Sequence, residues 1–191
     1  TPISEITETG VRVGDRTYEV DTIVIATGFD AMTGPLMAMD IRGRNGVRLA
    51  DRWAHGPRTY LAIMSNEFPN LFTITGPQSP SVLYNMPLAI EDHVDFATDA
   101  IAYLRAHDLD VIEPTAEAEA DWVRTTTEIA EQTLLPQTDS WYMGANIPGK
   151  PRACMVYLGG APTYRQVCAE VVDCGYVGFD LAPARATVPA A

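Results

Sequence analysis

Residues 21–34 read DTIVIATGFDAMTG, a run of β-branched residues that stops abruptly at a small residue and a glycine. Residues 22–26 show no alternation of apolar and polar side chains, so they predict a strand that is covered on both faces. A strand often ends in glycine because something must come close to the backbone there. The sequence therefore indicates a tight turn, a packed helix or a ligand at Thr27 and Gly28.

Strands are also predicted on both sides of this stretch. Upstream, apolar residues alternate over residues 11–20 around Gly14, which is typical of a β-hairpin. Downstream, residues 70–75 (NLFTIT) predict a second buried strand, which again ends before a glycine, Gly76. Residues 155–158 predict a further short strand.

Three helices are predicted where the apolar spacing changes to three and four residues. The longest covers residues 86–107, with Asn85 as N-cap and Pro87 in the first turn, where proline is tolerated. The others cover residues 115–133 and 162–174. The side chains of the longest helix that are predicted to face inward are Met86, Ile90, Val94, Ala97, Ile101 and Leu104.

The composition disfavours several classes of protein. With 191 residues, 47% of them hydrophobic, the chain can bury a sizeable core. Its formal net charge of −12 disfavours nucleic acid and anionic membranes as partners, and no apolar run approaches the roughly 20 residues of a membrane span. The three cysteines form no CxxC pair and the three histidines stand far apart, so we predict no disulfide framework, no metal and a cytoplasmic setting.

Together these elements predict an α/β fold whose strands end in glycine where a loop or helix begins. In such folds, ligands lie beyond the carboxyl ends of the strands. The sequence nevertheless contains no GxGxxG turn, which a dinucleotide-binding fold uses to hold phosphate. Because it also begins TPISEITETG, without an initiator methionine, we expect a fragment of a longer chain.

Several long segments carry more information than periodicity does: IVIATGFD, FPNLFTITGPQSP, NMPLAIEDHVDF, SWYMGANIPGKPR and YRQVCAEVVDCGYVGF. In this order and spacing they resemble the C-terminal part of type I Baeyer–Villiger monooxygenases, and more narrowly the branch that acts on aryl ketones such as phenylacetone and on steroids. The resemblance covers residues 21–179. It implies the C-terminal part of a Rossmann-like flavoprotein with two dinucleotide-binding domains.

The resemblance implies FAD and NADPH as cofactors, a ketone and O₂ as substrates, and insertion of one oxygen atom through a flavin peroxide to give an ester or lactone. Residues 1–27 would be the last strands of the NADPH-binding domain, and residues 28–191 the C-terminal half of the FAD-binding domain. No catalytic residue is assigned, because the family's glycine-rich turns and flavin-directed arginine lie upstream. The N-terminal remainder of the enzyme is the expected partner, and the chain alone is expected to be inactive.

The resemblance also assigns cofactor contacts to three segments: the crossing between the two domains at residues 27–30, the turn at Gly76, and residues 140–151. Residues 140–151 are predicted to form an exposed, mobile loop. The residues alone leave a structural interpretation open for each segment. Gly28 could form a plain turn, Gly76 a strand-to-helix connection, Trp141 a buried anchor for its loop, and Lys150 a solvated side chain. The residues expected to approach FAD or NADPH are Thr27, Gly28, Phe29, Asp30, Gly76, Pro77, Trp141 and Lys150.

A pocket for the ketone is expected beside the flavin. Tyr84 is bulkier than the residue expected in an aryl-ketone relative, so the identity of the ketone is left open. Leu83 and Met86 could equally be core residues. The side chains that the resemblance places in this pocket are Ser81, Val82, Leu83, Tyr84 and Met86.

Two other functions are compatible with the sequence. A flavin monooxygenase that oxygenates nitrogen or sulfur shares the two-domain plan, although residues 140–151 argue against it. A chain of 191 residues can also fold independently and act as a binding or interaction domain.

Overall fold

The computed structural model describes residues 2–26, 28–80 and 84–183, which form a mixed arrangement of helices and strands. None of the helices in these ranges is long and apolar enough to cross a membrane. The strands are β1 (Glu5–Thr7), β2 (Gly10–Val13), β3 (Arg16–Glu19), β4 (Val111–Pro114) and β5 (Phe179–Ala182). The α-helices are α1 (Gly34–Ala38), α2 (Leu49–Arg52), α3 (Met86–Ala106), α4 (Ala116–Glu131) and α5 (Ala161–Asp173), and short 3-10 helices cover Arg44–Gly46, Leu135–Gln137 and Trp141–Met143.

The predicted hairpin is confirmed and extended by one strand. Strands β1, β2 and β3 form an antiparallel sheet in which Val11 pairs with Tyr18 and Val13 with Arg16. Gly14 turns the chain with a positive φ of 60°, a conformation that glycine adopts without strain. A separate two-stranded antiparallel sheet pairs β4 with β5 and lies beside the helices.

The predicted strand over residues 22–26 is wrong for the chain as it stands. These residues form no strand, and Val24 and Ile25 are 82% and 79% exposed. A strand that is buried on both faces needs neighbouring strands and covering helices. Within the described residues, no other segment supplies them.

The strands predicted over residues 70–75 and 155–158 are also not formed as predicted. Positive φ angles of 60° at Asn70 and 50° at Thr75 interrupt the extended conformation that a strand requires. In residues 155–158 only Val156 is paired, in a single parallel bridge with Ser79. Both segments are therefore loops, held by hydrogen bonds to their neighbours.

Helix α3 begins where its sequence predicts, but its inward face differs from the prediction. The Asn85 side chain caps the helix by accepting a hydrogen bond from the Leu88 backbone N–H at 3.4 Å. On the predicted inward face, Ile90, Val94 and Ile101 are 41, 44 and 42% exposed. The side chains that α3 buries are Ala89, His93, Phe96, Ala100 and Leu104. The helix thus carries two neighbouring apolar rows, and periodicity alone does not tell which one faces the core.

Helices α4 and α5 confirm the predictions for their segments, and they meet α3 in an aromatic core. Trp122 of α4 stacks on Tyr157 with ring centroids 5.0 Å apart, and Tyr164 of α5 meets the Trp122 ring edge-on at 5.9 Å. Phe96 of α3 packs edge-on against Tyr176 at 5.6 Å. Offset and edge-on ring pairs add to the stabilisation that burial of the rings provides.

A buried carboxylate joins α4 to the loops that precede it. Glu119 is completely buried, and its Oε2 accepts hydrogen bonds from Arg52 at 2.7 Å and from Arg58 at 3.0 Å. Its Oε1 accepts the Asn66 backbone N–H at 3.0 Å. Because all three donors come from residues 52–66, this one side chain fixes the position of that segment on α4.

A second buried network connects α3 and α5 to the turn before Gly76. His93 Nδ1 accepts the Thr75 backbone N–H at 3.0 Å, which leaves the ring proton on Nε2. Nε2 then donates to the Tyr164 hydroxyl at 2.7 Å, and that hydroxyl donates to the Leu61 carbonyl at 2.6 Å. Burial lowers the pKa of His93, whereas the nearby Thr73 carbonyl opposes that shift. A neutral His93 therefore satisfies the whole chain of donors and acceptors.

Replacing Glu119 with alanine should lower the free energy of unfolding by about 3 to 5 kcal/mol, because Arg52 and Arg58 lose their buried partner. Glu117→Ala on the exposed side of the same helix is the matched control and should change it by less than about 0.5 kcal/mol. Urea denaturation monitored by tryptophan fluorescence measures both. Equal effects of the two variants would contradict the role given to Glu119.

The stability of the chain should fall in mildly acidic solution because of His93. The folded state lowers the pKa of this imidazole, so its contribution is complete above the unfolded pKa of about 6.5 and is lost as the pH falls through the folded pKa. His93→Gln should remove this part of the pH dependence, whereas the exposed His107→Gln should keep it. Urea denaturation of the three proteins between pH 8 and pH 5 checks the prediction, and parallel curves would contradict it.

Candidate functional site

An ion pair joins two of the segments that the sequence assigns to cofactor binding. The Lys150 ammonium lies against the Asp30 carboxylate and 3.4 Å from the Ala31 carbonyl. The Lys150 side chain is only 10% exposed, and it is the one lysine in the sequence. Asp30 is thus the anion that Lys150 contacts, and the lysine is not solvated.

Apolar packing joins the same two segments beside the ion pair. Met32 packs against a buried cluster that contains Met143, together with Tyr142 and Ala145 from the same loop. Met32 has a positive φ of 68°, which is uncommon for a residue with a side chain. Residues 28–32 and residues 140–151 are therefore held together by both a charged and an apolar contact.

Residues 140–151 are anchored to the body of the fold at several points. The Ser140 hydroxyl accepts the Tyr142 backbone N–H at 3.2 Å, and the Tyr142 carbonyl accepts the Met155 N–H at 2.9 Å. Met143 is buried, and Trp141 is half-buried with its ring 4.1 Å from that of Tyr142. The predicted loop is thus folded around a short 3-10 helix, with its aromatic pair at the surface.

The turn that contains Gly76 and Pro77 lies in the same neighbourhood. The Gln78 backbone N–H donates to the Met155 carbonyl at 2.8 Å, and the Met155 N–H donates to the Tyr142 carbonyl. Met155 therefore links this turn to the loop of residues 140–151. A Cβ atom at Gly76 would stand 2.5 Å from the Ala62 carbonyl oxygen. Close packing inside the chain therefore accounts for this glycine without a ligand.

Gly28 differs from Gly76 in its surroundings. Among the described residues, no atom lies within 4 Å of the place where a Cβ would stand at Gly28, and its φ is +76°. The neighbouring Phe29 is 75% exposed. The positive φ explains the glycine as a turn residue, and the open space leaves room for a group to approach the backbone there.

Four of the predicted site residues, Thr27, Ser81, Val82 and Leu83, lie outside the described residues. Tyr84, by contrast, lies at the surface between α3 and α5. Its hydroxyl is 3.5 Å from Asp92, and the Arg165 guanidinium lies over its ring at 5.2 Å. Arg165 also donates to both oxygens of Asp92 at 2.9 Å. Removal from water, followed by the charge of Asp92, raises the pKa of Tyr84. Met86, the first residue of α3, is half-buried.

A cavity of about 510 Å³ contains none of the predicted site residues, although Gln78 and Met143 of the neighbouring segments line it. Arg52, Arg58 and Arg152 line it, but the first two bind Glu119 and the third binds Asp139 at 2.9 Å. Burial raises the pKa of the Cys154 thiol at its wall, which disfavours the reactive thiolate. The cavity therefore lacks an unpaired arginine or a reactive thiol.

The contacts of Glu119 and His93 are not visible in the sequence. Glu119 stands among five other acidic or alanine residues in AEAEAD, and nothing in that segment distinguishes it from the exposed Glu117. His93 is an ordinary position in a helical pattern until its distance to Tyr164 is known. The sequence singles out only Lys150, because it is the one lysine of the chain. Within the described residues, no group of histidine, cysteine, aspartate or glutamate is arranged to hold a metal ion.

Comparison with known proteins gives close relatives along nearly the whole chain, although no protein-family model matches it. An acetone monooxygenase (methyl acetate-forming) from Gordonia sp. (strain TY-5) is 44% identical over 182 residues, which is 94% of this chain and 34% of that enzyme. A Baeyer–Villiger monooxygenase from Pseudooceanicola batsensis is 43% identical over 93% of the chain and 32% of its own length.

Solved structures agree with the sequence relatives. Oxidised steroid monooxygenase bound to NADP is 49% identical, with a TM-score of 0.85, over 96% of this chain and 34% of its own. One relative is named for different chemistry, since a phenazine N-monooxygenase from Lysobacter antibioticus is 39% identical over 94% of the chain. The chain spans about a third of the length of these proteins. By sequence and by fold, it corresponds to the C-terminal portion of Baeyer–Villiger monooxygenases.

Proposed function

We propose that the chain is part of an enzyme that binds FAD and NADPH and inserts one oxygen atom of O₂ beside the carbonyl of a ketone. The observation that carries the proposal is the convergence of residues 28–32, residues 140–151 and the Gly76 turn on one side of a fold that matches Baeyer–Villiger monooxygenases. Residues 1–27 and 28–191 are assigned to the NADPH-binding and FAD-binding domains of that enzyme.

The residues around Gly28 suit contact with a flat cofactor. The space beside the Gly28 backbone is open, and the exposed Phe29 ring offers an apolar surface next to it. Gly76 is less suited to direct contact, because the Ala62 carbonyl occupies the space beside it. We therefore assign the closest approach to residues 28–30 and a supporting role to Gly76 and Pro77.

When bound, FAD activates O₂ and NADPH supplies the hydride, so that a ketone, O₂, NADPH and a proton give an ester, NADP⁺ and water. The side chains of this chain bind, position and shield the reactants. The half-buried Trp141 ring, which lies beside that of Tyr142, would cover the bound cofactors and exclude water, and this would protect reactive species from side reactions. Lys150 holds their loop against residues 28–32 through Asp30.

The identity of the ketone depends on the pocket beside the flavin, to which we assign Ser81, Val82, Leu83, Tyr84 and Met86. Tyr84 is held by Asp92 and Arg165, so its position is set by charged neighbours at the surface. A second candidate reaction is oxygenation at an aromatic nitrogen, which the similarity to phenazine N-monooxygenase supports. Product analysis with cyclic ketones and with phenazines, using the full-length enzyme, distinguishes a lactone from an N-oxide.

In the full-length enzyme, Trp141→Ala should weaken NADP⁺ binding roughly tenfold and lower the fraction of NADPH oxidation that yields ester. Loss of an aromatic contact of this kind commonly costs on the order of 1 to 3 kcal/mol. Because Trp141 is only half-buried, the melting temperature should hardly change. Titration of NADP⁺ and a comparison of NADPH consumed with ester formed measure the two effects.

The control for Trp141 is Leu134→Ala, which removes an apolar side chain that is 74% exposed in the neighbouring turn and should leave both quantities unchanged. If Trp141→Ala instead loses several degrees of thermal stability while cofactor affinity and coupling stay normal, the ring is a structural anchor. The covering role would then have to be abandoned.

Lys150→Met and Asp30→Asn should weaken NADP⁺ binding to the same extent, because each breaks the same ion pair. The double variant should be no weaker than either single variant, which is the pattern expected when two side chains act only through each other. Equilibrium titration of NADP⁺ to the four proteins gives this cycle. Arg152→Gln, which removes an exposed ion pair at the end of the same loop, is the control.

A direct contact between Lys150 and a cofactor phosphate gives a different result. Lys150→Met would then weaken NADP⁺ binding much more than Asp30→Asn does, and the effects of the two substitutions would add. That outcome would show that Asp30 is only a secondary partner of the lysine.

A further inference from the structure

The cavity of about 510 Å³ carries a buried amide in its wall. Gln78 lines the cavity and is only 2% exposed. Its Oε1 accepts the Thr59 backbone N–H at 3.2 Å and the Thr59 hydroxyl at 2.7 Å. Because a backbone N–H can only donate, the amide atom that faces it must be the oxygen, and the amide nitrogen is directed away from Thr59.

The amide nitrogen of Gln78 is a donor without an acceptor. It carries two N–H groups, and no described residue accepts a hydrogen bond from either of them. It is not among the unpartnered polar atoms that the described chain seals from solvent, so it reaches open space. Buried polar groups are nearly always paired, and the open space that Gln78 lines is the cavity. The cavity therefore has a place for an acceptor that the described residues do not supply.

Arg58 brings further donors to the same cavity. It precedes Thr59 in the chain, and its Nε donates to Glu119 at 3.0 Å. A guanidinium has five N–H donors, so this contact leaves most of them unused. Among the described residues, none accepts a hydrogen bond from the two terminal nitrogens of Arg58. The cavity thus contains spare N–H donors from two different side chains.

These donors come without a surplus of positive charge. Arg52 and Arg58 share the Glu119 carboxylate, and Arg52 also lies 3.3 Å from Glu67. The third arginine of the wall is occupied by a carboxylate and two backbone carbonyls. Exposed Glu131 adds a negative charge to the wall. Since the positive charges are already compensated, the cavity favours a neutral acceptor over an anion.

Much of the remaining wall is apolar. Ala130, Met143 and Cys154 are buried there, and Val123 and Pro136 extend the apolar surface. The volume of about 510 Å³ lies within the range of small-molecule sites, roughly 300 to 1,000 Å³. A suitable ligand is therefore a compact, apolar and uncharged molecule with an oxygen acceptor. Ketones, esters and lactones have this chemistry.

We propose that the cavity binds a small neutral carbonyl compound, whose oxygen accepts hydrogen bonds from the Gln78 amide and the Arg58 guanidinium. Its hydrocarbon part lies against Met143 and Cys154. The source of the ligand rests on the proposed function, which consumes a ketone and releases an ester or lactone. The cavity shares no residue with the pocket to which we assign the ketone, so binding at the two places can be measured separately.

Methionine methyl groups report on the two places in the full-length enzyme. Met143 lines the cavity, whereas Met86 belongs to the pocket assigned to the ketone. The enzyme is labelled with ¹³C at its methionine methyl groups and kept oxidised without NADPH, so that no ketone is consumed. Titration with cyclohexanone should shift the Met143 resonance, with a Kd that differs from the one reported by Met86. Met143→Leu and Met86→Leu identify the two resonances.

Gln78→Glu is the decisive variant, because it keeps an oxygen for Thr59 and removes the amide donors. The Kd reported by Met143 should rise about tenfold or more, while that reported by Met86 stays unchanged. Gln166→Glu, the same substitution on the exposed side of α5, is the matched control and should alter neither Kd. Val123→Trp fills part of the cavity without touching Gln78, so it should abolish the Met143 shift even if Gln78→Glu fails to fold.

The class of ligand is tested with three molecules that share one ring: cyclohexanone, methyl cyclohexanecarboxylate and the cyclohexanecarboxylate anion. The ketone, the ester or both should shift Met143, and the responses show whether substrate or product is the occupant. Tighter binding of the anion would overturn the assigned class. If none of the three shifts Met143, water or another part of the enzyme fills the cavity and the proposal is wrong.

The outcome for the cavity is separable from the outcome for the proposed function, because the titration includes no oxygenation step. A Met143 response in an enzyme that forms no ester would remove the proposed function and leave the cavity site standing. Ester formation by an enzyme whose Met143 resonance never shifts would do the reverse.

Discussion

The buried carboxylate of Glu119 is the constraint on which the arrangement of this chain most depends. Its three hydrogen-bond donors all come from residues 52–66, a segment of turns with little regular structure of its own. Such a segment has many accessible conformations, and a single buried acceptor selects one of them. The selected conformation places Ala62 against Gly76 and Leu61 against Tyr164. The positions of the helices and of the candidate site therefore depend on it.

The candidate site depends on a second constraint, the contact between residues 28–32 and residues 140–151. These segments are about 120 residues apart in the chain, yet an ion pair and an apolar cluster both join them. A movement of one segment therefore carries the other with it. The proposed domain crossing and the proposed cover over the cofactors thus behave as one mechanical unit.

The sequence predicts the hairpin and the long helices of this chain, but not its other strands or its tertiary contacts. The hairpin, the Asn85 cap and the three long helices follow from turn residues and periodicity, which depend only on near neighbours. The predictions of burial fail for residues 22–26 and for Ile90, Val94 and Ile101, because an apolar pattern does not tell whether another segment covers it. The proposed site residues are predicted from long segments that resemble a known family, whereas the contacts of Asp30 with Lys150 and of Glu119 with Arg52 required three-dimensional distances.

The exposed apolar side chains of α3 also bear on how this chain behaves in solution. Ile90, Val94 and Ile101 lie along one helix and are 41 to 44% exposed. Contiguous apolar surface promotes association, whereas a formal net charge of −12 keeps the molecules apart. Because salt screens that repulsion, the tendency of the chain to associate rises with ionic strength.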